Sequence, residues 1–277
     1  DYGVYAFDAV DGVLDHSYAT GSPDAGFYIG QCYPCDAIVN NVVSEYNGLG
    51  YSGTNSGGSL YITSSIFRNN KGGLAPNTLD SELLPPERET FIIGNLIENN
   101  NNYNSPATNS TYLSYGNGVV IAGGNNNIIK NNVIVDHDLY GVILTASMDV
   151  NYWPAHGNRV EENLILSSRK ADIAVSGVSN LANCFEGNYF NTSIPPGLQA
   201  LNGCEKNIIP LSADLSGLWS TIARLIYANT GDFYQDDWRT LPAPEQQENM
   251  PIMQEIIDAN DNGQYELGFY QFLPSFR

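Results

Sequence analysis

The stretch Ile128-Ile129-Lys130-Asn131-Asn132-Val133 decides the fold, because its pattern recurs along the chain. An apolar residue is followed by a short polar gap, an Asn and another apolar residue, at intervals of roughly two dozen residues. A glycine then usually opens the next short strand, as at Gly26, Gly50 and Gly141. The other copies lie at 38–42, 91–96, 160–164 and 185–189, with a weaker one at 62–66 in which Ser65 takes the Asn place.

Repetition of this kind is typical of a solenoid, in which each unit buries its apolar side by stacking on its neighbours. The apolar residues alternate over strand-length runs, which favours β-strands over helices. We therefore predict an all-β protein, a parallel β-helix, over residues 1–206. Asn suits its corners, because Asn tolerates left-handed backbone and stacked amides can form a hydrogen-bonded ladder.

The pattern changes near Asn207. Apolar residues at helical spacing predict a helix at 214–226, which we expect to cap the open end of the solenoid. A Pro-rich linker, 241–247, and a short helix, 252–259, come next. We expect the aromatic tail to dock on another surface, and it contains Phe269, Tyr270, Phe272 and Phe276. Residues 207–277 thus form a second region after the solenoid.

Charge limits the partners of the protein. Eleven basic and thirty acidic residues give a net charge of -19. Nucleic acid is excluded as a partner, since phosphate binding needs clustered Lys and Arg. Acidic polysaccharides are repelled unless a divalent cation bridges them, which leaves a neutral glycan as the expected ligand. We predict no membrane span and, because the chain opens within strand-like sequence at Asp1, no signal peptide.

Four cysteines suggest an oxidising compartment. The C-x-x-C motif from Cys32 to Cys35 suits a redox pair, half of a zinc site or a turn-closing disulfide. A redox motif of the thioredoxin type would be followed by a helix, whereas residues 37–39 have the pattern of a strand. We favour two disulfides, Cys32–Cys35 and Cys184–Cys204.

The stretch Asp24-Ala25-Gly26-Phe27-Tyr28-Ile29-Gly30-Gln31-Cys32, with residues 47–55, closely resembles bacterial secreted β-helix repeat proteins of the pectate-lyase-like superfamily. The resemblance continues through residues 76–82 and 183–188 and ends at 242–244. It implies a right-handed parallel β-helix and export from the cell. It also implies further coils before Asp1. It does not imply a particular activity.

Two long loops, about 76–90 and 147–158, are predicted. In these two coils the segment from the Gly that opens a strand to the next corner Asn is longer than in the other coils. They should project from one side of the β-helix, with a minimal turn at Gly123 and Gly124 between them. This arrangement predicts a cleft with a glycine floor, and aromatic rings beside carboxylates suit sugar binding. Alternatively, Trp153 and Pro154 only pin a loop. The candidate ligand-binding residues are Asp149, Tyr152, Trp153 and His156 on one wall, Asp80, Glu82, Glu87 and Arg88 on the other, and Gly123 and Gly124.

A second candidate site is Asp136-His137-Asp138. Lyases and epimerases of the resembled superfamily use such residues to remove a sugar proton. Two flanking carboxylates would raise the pKa of His137, so that it could act as an acid. Aligning the coils by their Asn residues places Glu45 and Asn69 beside Asp136, and Lys71 beside Asp138.

These surroundings are predominantly acidic, whereas lyase chemistry needs cations that neutralise the substrate carboxylate. A solvated turn or a weak calcium site from Asp136 and Asp138 is the alternative. We expect no other cofactor. His156 is a further catalytic candidate, and His16 lies in a turn. Outward residues at one position of nearby coils should form a charge ladder of Lys130, Glu161 and Glu186.

We therefore rank three hypotheses for function. The first is a secreted or cell-surface, non-catalytic protein that binds a glycan or another surface component through its long loops. The second is a carbohydrate-active enzyme, such as a polysaccharide lyase, an epimerase or a glycosidase. The third is a subunit of an extracellular assembly, joined end to end through the open first coil or through the tail.

Overall fold

Successive coils of the chain place their strands in three parallel sheets, in a computed structural model that describes residues 1–108, 111–177 and 182–205. Strands of the same sheet pair in register with the strand one coil away. This arrangement confirms the predicted parallel β-helix. Among the described residues, no helix is long and apolar enough to cross a membrane.

The largest sheet, sheet 1, has eight strands. In spatial order they are β1 (Val4–Phe7), β4 (Ala25–Gly30), β7 (Leu49–Thr54), β10 (Gly72–Asn77), β13 (Val119–Ala122), β16 (Tyr140–Thr145), β21 (Ala171–Ser176) and β24 (Ser193–Ile194).

Sheets 2 and 3 have seven strands each. Sheet 2 contains β2 (Val13–Asp15), β5 (Ala37–Asn40), β8 (Gly57–Thr63), β11 (Arg88–Ile93), β14 (Ile128–Lys130), β19 (Arg159–Glu161) and β22 (Cys184–Glu186). Sheet 3 contains β3 (Tyr18–Thr20), β6 (Val43–Glu45), β9 (Ile66–Arg68), β12 (Leu96–Glu98), β15 (Val133–Val135), β20 (Leu164–Leu166) and β23 (Tyr189–Phe190).

The remaining elements lie outside the three sheets. A short antiparallel hairpin is formed by β17 (Ser147–Met148) and β18 (Tyr152–Trp153). A 3-10 helix spans Thr111–Ser114, and the helix α1 spans Leu198–Leu201. The hairpin lies within the second predicted long loop. The first long loop connects β10 to β11.

The core is a stack of inward side chains at equivalent positions of successive coils. Burial of each aliphatic side chain contributes about 1.5–3 kcal/mol, so the stack drives folding along the whole solenoid. The inward column of sheet 2 is fully buried and consists of Val39, Ile62, Ile92, Ile129, Val160 and Phe185.

The predicted Asn ladder is present at the corner between sheets 2 and 3. The Asn95 amide donates to the Asn132 side-chain oxygen at 3.0 Å, and the Asn132 amide donates to that of Asn163 at 2.9 Å. The left-handed turn, however, is made by the residue before each ladder Asn, such as Asn131 with φ 55°. In the second coil the predicted ladder residue was wrong by one position. Asn41 was expected in the ladder, but Val42 occupies that position and Asn41 adopts the left-handed conformation.

Two further ladders occupy the other corners. One joins Asn127, Asn158 and Asn183. The other joins Asn47, Asn70 and Asn100 and ends at His137, whose Nδ1 accepts from the Asn100 backbone N–H at 3.3 Å. All members of both ladders are buried, so the amides satisfy backbone groups that water cannot reach.

The helix predicted at 214–226, the linker and the aromatic tail lie outside the described residues. Within these residues, α1 covers the last coil. Leu198 is buried in the main core, and the Gln199 side-chain oxygen accepts from the Asn188 amide at 2.8 Å, which ends the first ladder. The division of the chain at 206 stays a prediction.

Both predicted disulfides are confirmed. Cys32–Cys35 closes the turn between sheets 1 and 2. Cys184–Cys204 ties the chain that follows α1 to β22. The predicted charge ladder is confirmed too, since Lys130, Glu161 and Glu186 are paired in register.

Candidate functional site

The two long loops are hydrogen-bonded to each other through Asp80. Its carboxylate accepts from the Asn151 backbone N–H at 2.7 Å and from the Trp153 indole N–H at 3.1 Å. The Asp80 backbone N–H in turn donates to the Asp149 carboxylate at 2.8 Å. Bonds from Asn151 and Trp153 lower the pKa of Asp80. The loops therefore do not flank an open cleft, and that part of the prediction is corrected.

The predicted glycine floor lies beneath these loops. Gly123 adopts φ +71°, and a Cβ there would lie 2.9 Å from that of Trp153. The Gly123 carbonyl accepts from the Thr78 hydroxyl at 2.8 Å, and the Thr78 carbonyl accepts from the Ser147 hydroxyl at 2.7 Å. The floor is thus covered by both loops, which fits the alternative that Trp153 pins the second loop.

Glu87 lies in the interior, although it was predicted on a cleft wall. Its carboxyl group accepts from the Thr90 hydroxyl and the Asn127 amide, each at 2.8 Å. It fills the space where Gly124 has no side chain. Burial raises the pKa of Glu87 to about 8, so the group is protonated at neutral pH. The neighbouring Arg88 packs over the Tyr33 ring, with its guanidinium carbon 3.7 Å from the ring centre.

His137 is also buried, with 1% of its surface exposed. Burial lowers its pKa to about 4, which corrects the expected increase. Its Nε2 atom has no hydrogen-bond partner among the described residues. His137 occupies an Asn-ladder position, and its ring packs against Gly118. Because the ring is buried, His137 is not accessible to a substrate in this structure.

The carboxylates beside His137 do not converge on it. Asp136 is exposed. The Asp138 carboxylate pairs with the Arg169 guanidinium at 3.1 Å and accepts from the Tyr115 hydroxyl at 3.1 Å. Glu45 lies one position earlier than predicted, in the register of Arg68 and Glu98, and pairs with Arg68 at 2.7 Å.

The other predicted residues are dispersed. Tyr152 is exposed at the hairpin, whereas His156 is half-buried and its backbone N–H donates to the Asn125 side chain at 3.3 Å. Among the described residues, the one group of three metal-type side chains contains Glu161 and the two cysteines of the Cys184–Cys204 disulfide. Calcium binding by Asp136 and Asp138 stays a prediction.

A surface that the sequence prediction missed lies on the outer face of β1 and β4. We call it the aromatic strip and define it as Tyr2, Tyr5, Phe7 and Tyr28. The Tyr5 ring stacks on each of the three other rings. The distances between ring centroids are 4.7 Å to Tyr2, 5.6 Å to Phe7 and 4.8 Å to Tyr28. Tyr5 is 52% exposed and Phe7 is 38% exposed. The strip therefore presents an aromatic surface to solvent.

Two carboxylates border the aromatic strip. The Tyr28 hydroxyl donates to both Glu82 carboxylate oxygens at 2.8 Å, and the Tyr2 hydroxyl bonds to Asp24. Partial burial raises the pKa of Glu82 and that of Asp24. Glu82 belongs to the first long loop, so one predicted ligand-binding residue lies at this surface. Glu82 and Trp153 do not line a common cleft: Glu82 contacts Tyr28, whereas Trp153 contacts Asp80.

The strip combines the two groups that sugar recognition needs. Aromatic surface packs against the C–H faces of a sugar ring, and carboxylate oxygens accept from its hydroxyl groups. Tyr5 and Tyr28 are also paired in register. Alignment of the motif around Tyr28 with the first coil was therefore the sequence signal that could have revealed this surface.

Comparison with known proteins shows a distant likeness. No family model matches the chain, and no curated protein matches it. The solved A-module of the mannuronan C-5 epimerase AlgE4 from Azotobacter vinelandii is similar over 73% of this chain, at 14% sequence identity and a TM-score of 0.38. The match covers 56% of that module, so the chain spans little more than half of its length.

Proposed function

We propose that this protein binds neutral glycan chains at the aromatic strip, as a non-catalytic protein outside the cell. The observation that carries the proposal is the exposed stack of Tyr5 and Phe7 beside the Glu82 carboxylate. The first long loop takes part, as expected, but through Glu82 and not through a cleft shared with Trp153.

Electrostatics support a neutral ligand. Asp24 and Glu82 border the strip, and the whole chain has a net charge of -19. A uronate polymer that approaches this surface is repelled, whereas a neutral polymer offers hydroxyl donors to the carboxylates. The strip therefore favours neutral sugars by both contacts and charge.

An extracellular location is part of the same proposal. The two disulfides, Cys32–Cys35 and Cys184–Cys204, support it, because disulfides persist in oxidising compartments. The resemblance to secreted bacterial β-helix proteins points the same way. Fractionation of the producing cells, followed by detection of the protein, tests this part separately.

Affinity electrophoresis of the full chain tests the ligand class. Gels that contain neutral polysaccharides, such as β-glucans, mannans and xylans, should retard the protein, and gels that contain alginate or polygalacturonate should not. Calcium is added in a parallel set. Retardation by uronate polymers alone, or by none of the gels, would contradict the proposal.

A further inference from the structure

Tyr2 and Tyr28 lie on the same side of the Tyr5 ring. The three ring centroids form a nearly equilateral triangle, with 4.7 Å between Tyr2 and Tyr5 and 4.8 Å from Tyr28 to each of them. Two rings stacked on opposite faces of Tyr5 would lie much farther from each other. The other face of Tyr5 therefore points away from both rings, which agrees with the 52% exposure of this residue.

The Phe7 ring continues this exposed surface along β1. Its plane is 7° from that of Tyr5, and the two ring centroids are 5.6 Å apart. Side chains two residues apart on a strand leave the same face of the sheet, so the Phe7 ring is offset from Tyr5 in the strand direction. Phe7 is 38% exposed. Tyr5 and Phe7 thus provide two adjoining, nearly parallel aromatic rings.

Tyr28 supports both rings from the second coil. It is in register with Tyr5, whereas Gly30 is in register with Phe7. A Cβ at Gly30 would lie 2.0 Å from the Tyr28 hydroxyl, so the Tyr28 side chain leans over Gly30 and fills the place of the missing side chain. Tyr28 therefore extends from Tyr5 towards Phe7 and holds the two exposed rings at a common level.

Two carboxylates lie near the Tyr5 ring. Partial burial, together with the nearby Glu82 and Asp24 carboxylates, raises the pKa of Tyr5. The Glu82 carboxylate accepts from the Tyr28 hydroxyl, which fixes its position. Carboxylate oxygens accept hydrogen bonds from hydroxyl groups. A sugar ring that lies flat on Tyr5 can therefore direct its equatorial hydroxyls towards these carboxylates.

We propose that Tyr5 and Phe7 bind two consecutive residues of an extended β-1,4-linked glucan chain. This ligand depends on the proposed glycan binding at the aromatic strip and narrows it to one sugar and one linkage. The distance of 5.6 Å between the two ring centroids is close to the length of one sugar residue in such a chain. Each aromatic ring therefore contacts its own sugar ring.

Two adjoining rings select the configuration of the sugar. Consecutive residues of an extended β-1,4 chain are turned over, so Tyr5 and Phe7 meet opposite faces of neighbouring sugars. Glucose carries only equatorial hydroxyls, and both of its faces are C–H surfaces that pack on aromatic rings. Mannose carries an axial hydroxyl at C2. In a mannan, every second residue would press this hydroxyl against a ring, where it has no hydrogen-bond partner.

The same two rings select the linkage. An α-1,4-linked glucan contains the same sugar, but its chain winds into a helix and its neighbouring residues do not lie in one plane. Such a chain contacts only one ring of the pair at a time. The flat β-1,4 chain makes both contacts at once and is therefore the preferred ligand.

Isothermal titration calorimetry of the full chain with three neutral hexasaccharides tests the proposal. Mannohexaose differs from cellohexaose in the configuration at C2, and maltohexaose differs from it in the linkage. Cellohexaose should bind about tenfold more tightly than either of the others, because they lose the contact with one ring. Equal or tighter binding of mannohexaose or maltohexaose overturns the proposal and leaves glycan binding at the strip intact. Absence of binding by all three also overturns it, and the polysaccharide gels then show separately whether the protein binds neutral glycans.

Phe7→Leu separates a two-ring site from a one-ring site. Leu keeps an apolar side chain on β1 but removes the flat ring, and urea unfolding verifies that the variant is folded. Its affinity for cellohexaose should fall to about that for mannohexaose, which should change little. Tyr189→Leu, which replaces an exposed aromatic residue of sheet 3, is the matched control and should keep the preference for cellohexaose. A preference that survives Phe7→Leu overturns the proposal, and Phe7→Met replaces this variant if it does not fold.

Discussion

The Tyr28 hydroxyl donates to both oxygens of the Glu82 carboxylate at 2.8 Å, and this contact fastens the first long loop to the outer face of β4. Tyr28 is itself buried beneath the rings of Tyr2 and Tyr5. The contact therefore joins the loop, a carboxylate and the exposed rings into one surface. It is the link between the fold and the proposed function.

Removal of this hydroxyl should loosen the loop. We expect Tyr28→Phe to lower the free energy of unfolding by about 1 kcal/mol, because one partly buried hydrogen bond to a carboxylate is lost. The pKa of Glu82, already raised by burial, should rise further, since the bond from Tyr28 favours its charged form. Urea unfolding and an NMR titration of the carboxyl carbon measure both effects. An unchanged Glu82 pKa would contradict this contact.

His137 should make stability depend on pH between about 4 and 6.5. In this window the unfolded state takes up a proton that the buried ring refuses, since its folded pKa is about 4. Stability contributed by the neutral ring is therefore full above the window and falls by about 1.4 kcal/mol per pH unit as the solution is acidified. His137→Asn, which can continue the Asn ladder, should remove this contribution and so change the slope of stability against pH by about 1.4 kcal/mol per unit in this window.

The measurement for His137 is urea unfolding at several pH values. His16→Asn is the matched control, because His16 is an exposed histidine of the first coil. The control should retain the full slope of the original protein. If His137→Asn retains that slope as well, then the pKa of His137 in the folded protein is not lowered by burial.

Glu87 should act in the opposite direction. Its folded pKa is about 8, so the folded protein keeps a proton that the unfolded chain releases above about 4.5. Its contribution therefore declines by about 1.4 kcal/mol per pH unit between these values as the pH rises. Glu87→Gln should remove this decline, because Gln fits the site and does not titrate.

Differential scanning calorimetry at pH 5 and pH 8 compares Glu87→Gln with the original protein. The exposed carboxylate of Glu162 provides the control, Glu162→Gln. We expect the control to behave like the original protein. A stability difference between Glu87→Gln and the original protein that is the same at pH 5 and pH 8 would contradict the raised pKa of Glu87.

Trp153 should behave as a residue that positions its loop. Trp153→Phe keeps an aromatic ring but removes the N–H that donates to Asp80, so proteolytic cleavage within 147–153 should become roughly several-fold faster. Glycan retention should stay unchanged. In the double variant Asp80→Ala/Trp153→Phe, the increase in cleavage rate should be smaller than the two single increases combined, because both substitutions remove the same hydrogen bond. Loss of glycan binding in Trp153→Phe would restore the predicted site between the loops.

Much of the fold could be predicted from the sequence because the β-helix repeats one local rule. Inward residues such as Ile92 and Ile129 recur at one position, and each corner Asn bonds to the next. The predicted ladder position was wrong at Asn41, because Val42 occupies the ladder position in that coil. An apolar residue there removes the Asn by which the coils were aligned. The pairing of the cysteines was predictable from their spacing and from the strand after Cys35.

The candidate site was harder to predict, since it depends on contacts between coils. Loop length indicated that 76–90 and 147–158 project, but not that Asp80 would accept from Trp153 and join them. His137 appeared reactive because two carboxylates flank it in sequence. Its place after Asn47, Asn70 and Asn100 in a ladder explains its burial, and that spacing was present in the sequence.

The affinity of Tyr5→Ala for a neutral polysaccharide tests the central claim most directly. Isothermal titration calorimetry compares the original protein, Tyr5→Ala and the control Tyr189→Ala, whose exposed ring lies in the last strand of sheet 3. We predict a loss of about tenfold or more for Tyr5→Ala, since about 1.4 kcal/mol of stacking corresponds to that factor, and no change for the control. Equal affinity of the two variants, with both folded, would show that the aromatic strip is not the glycan site.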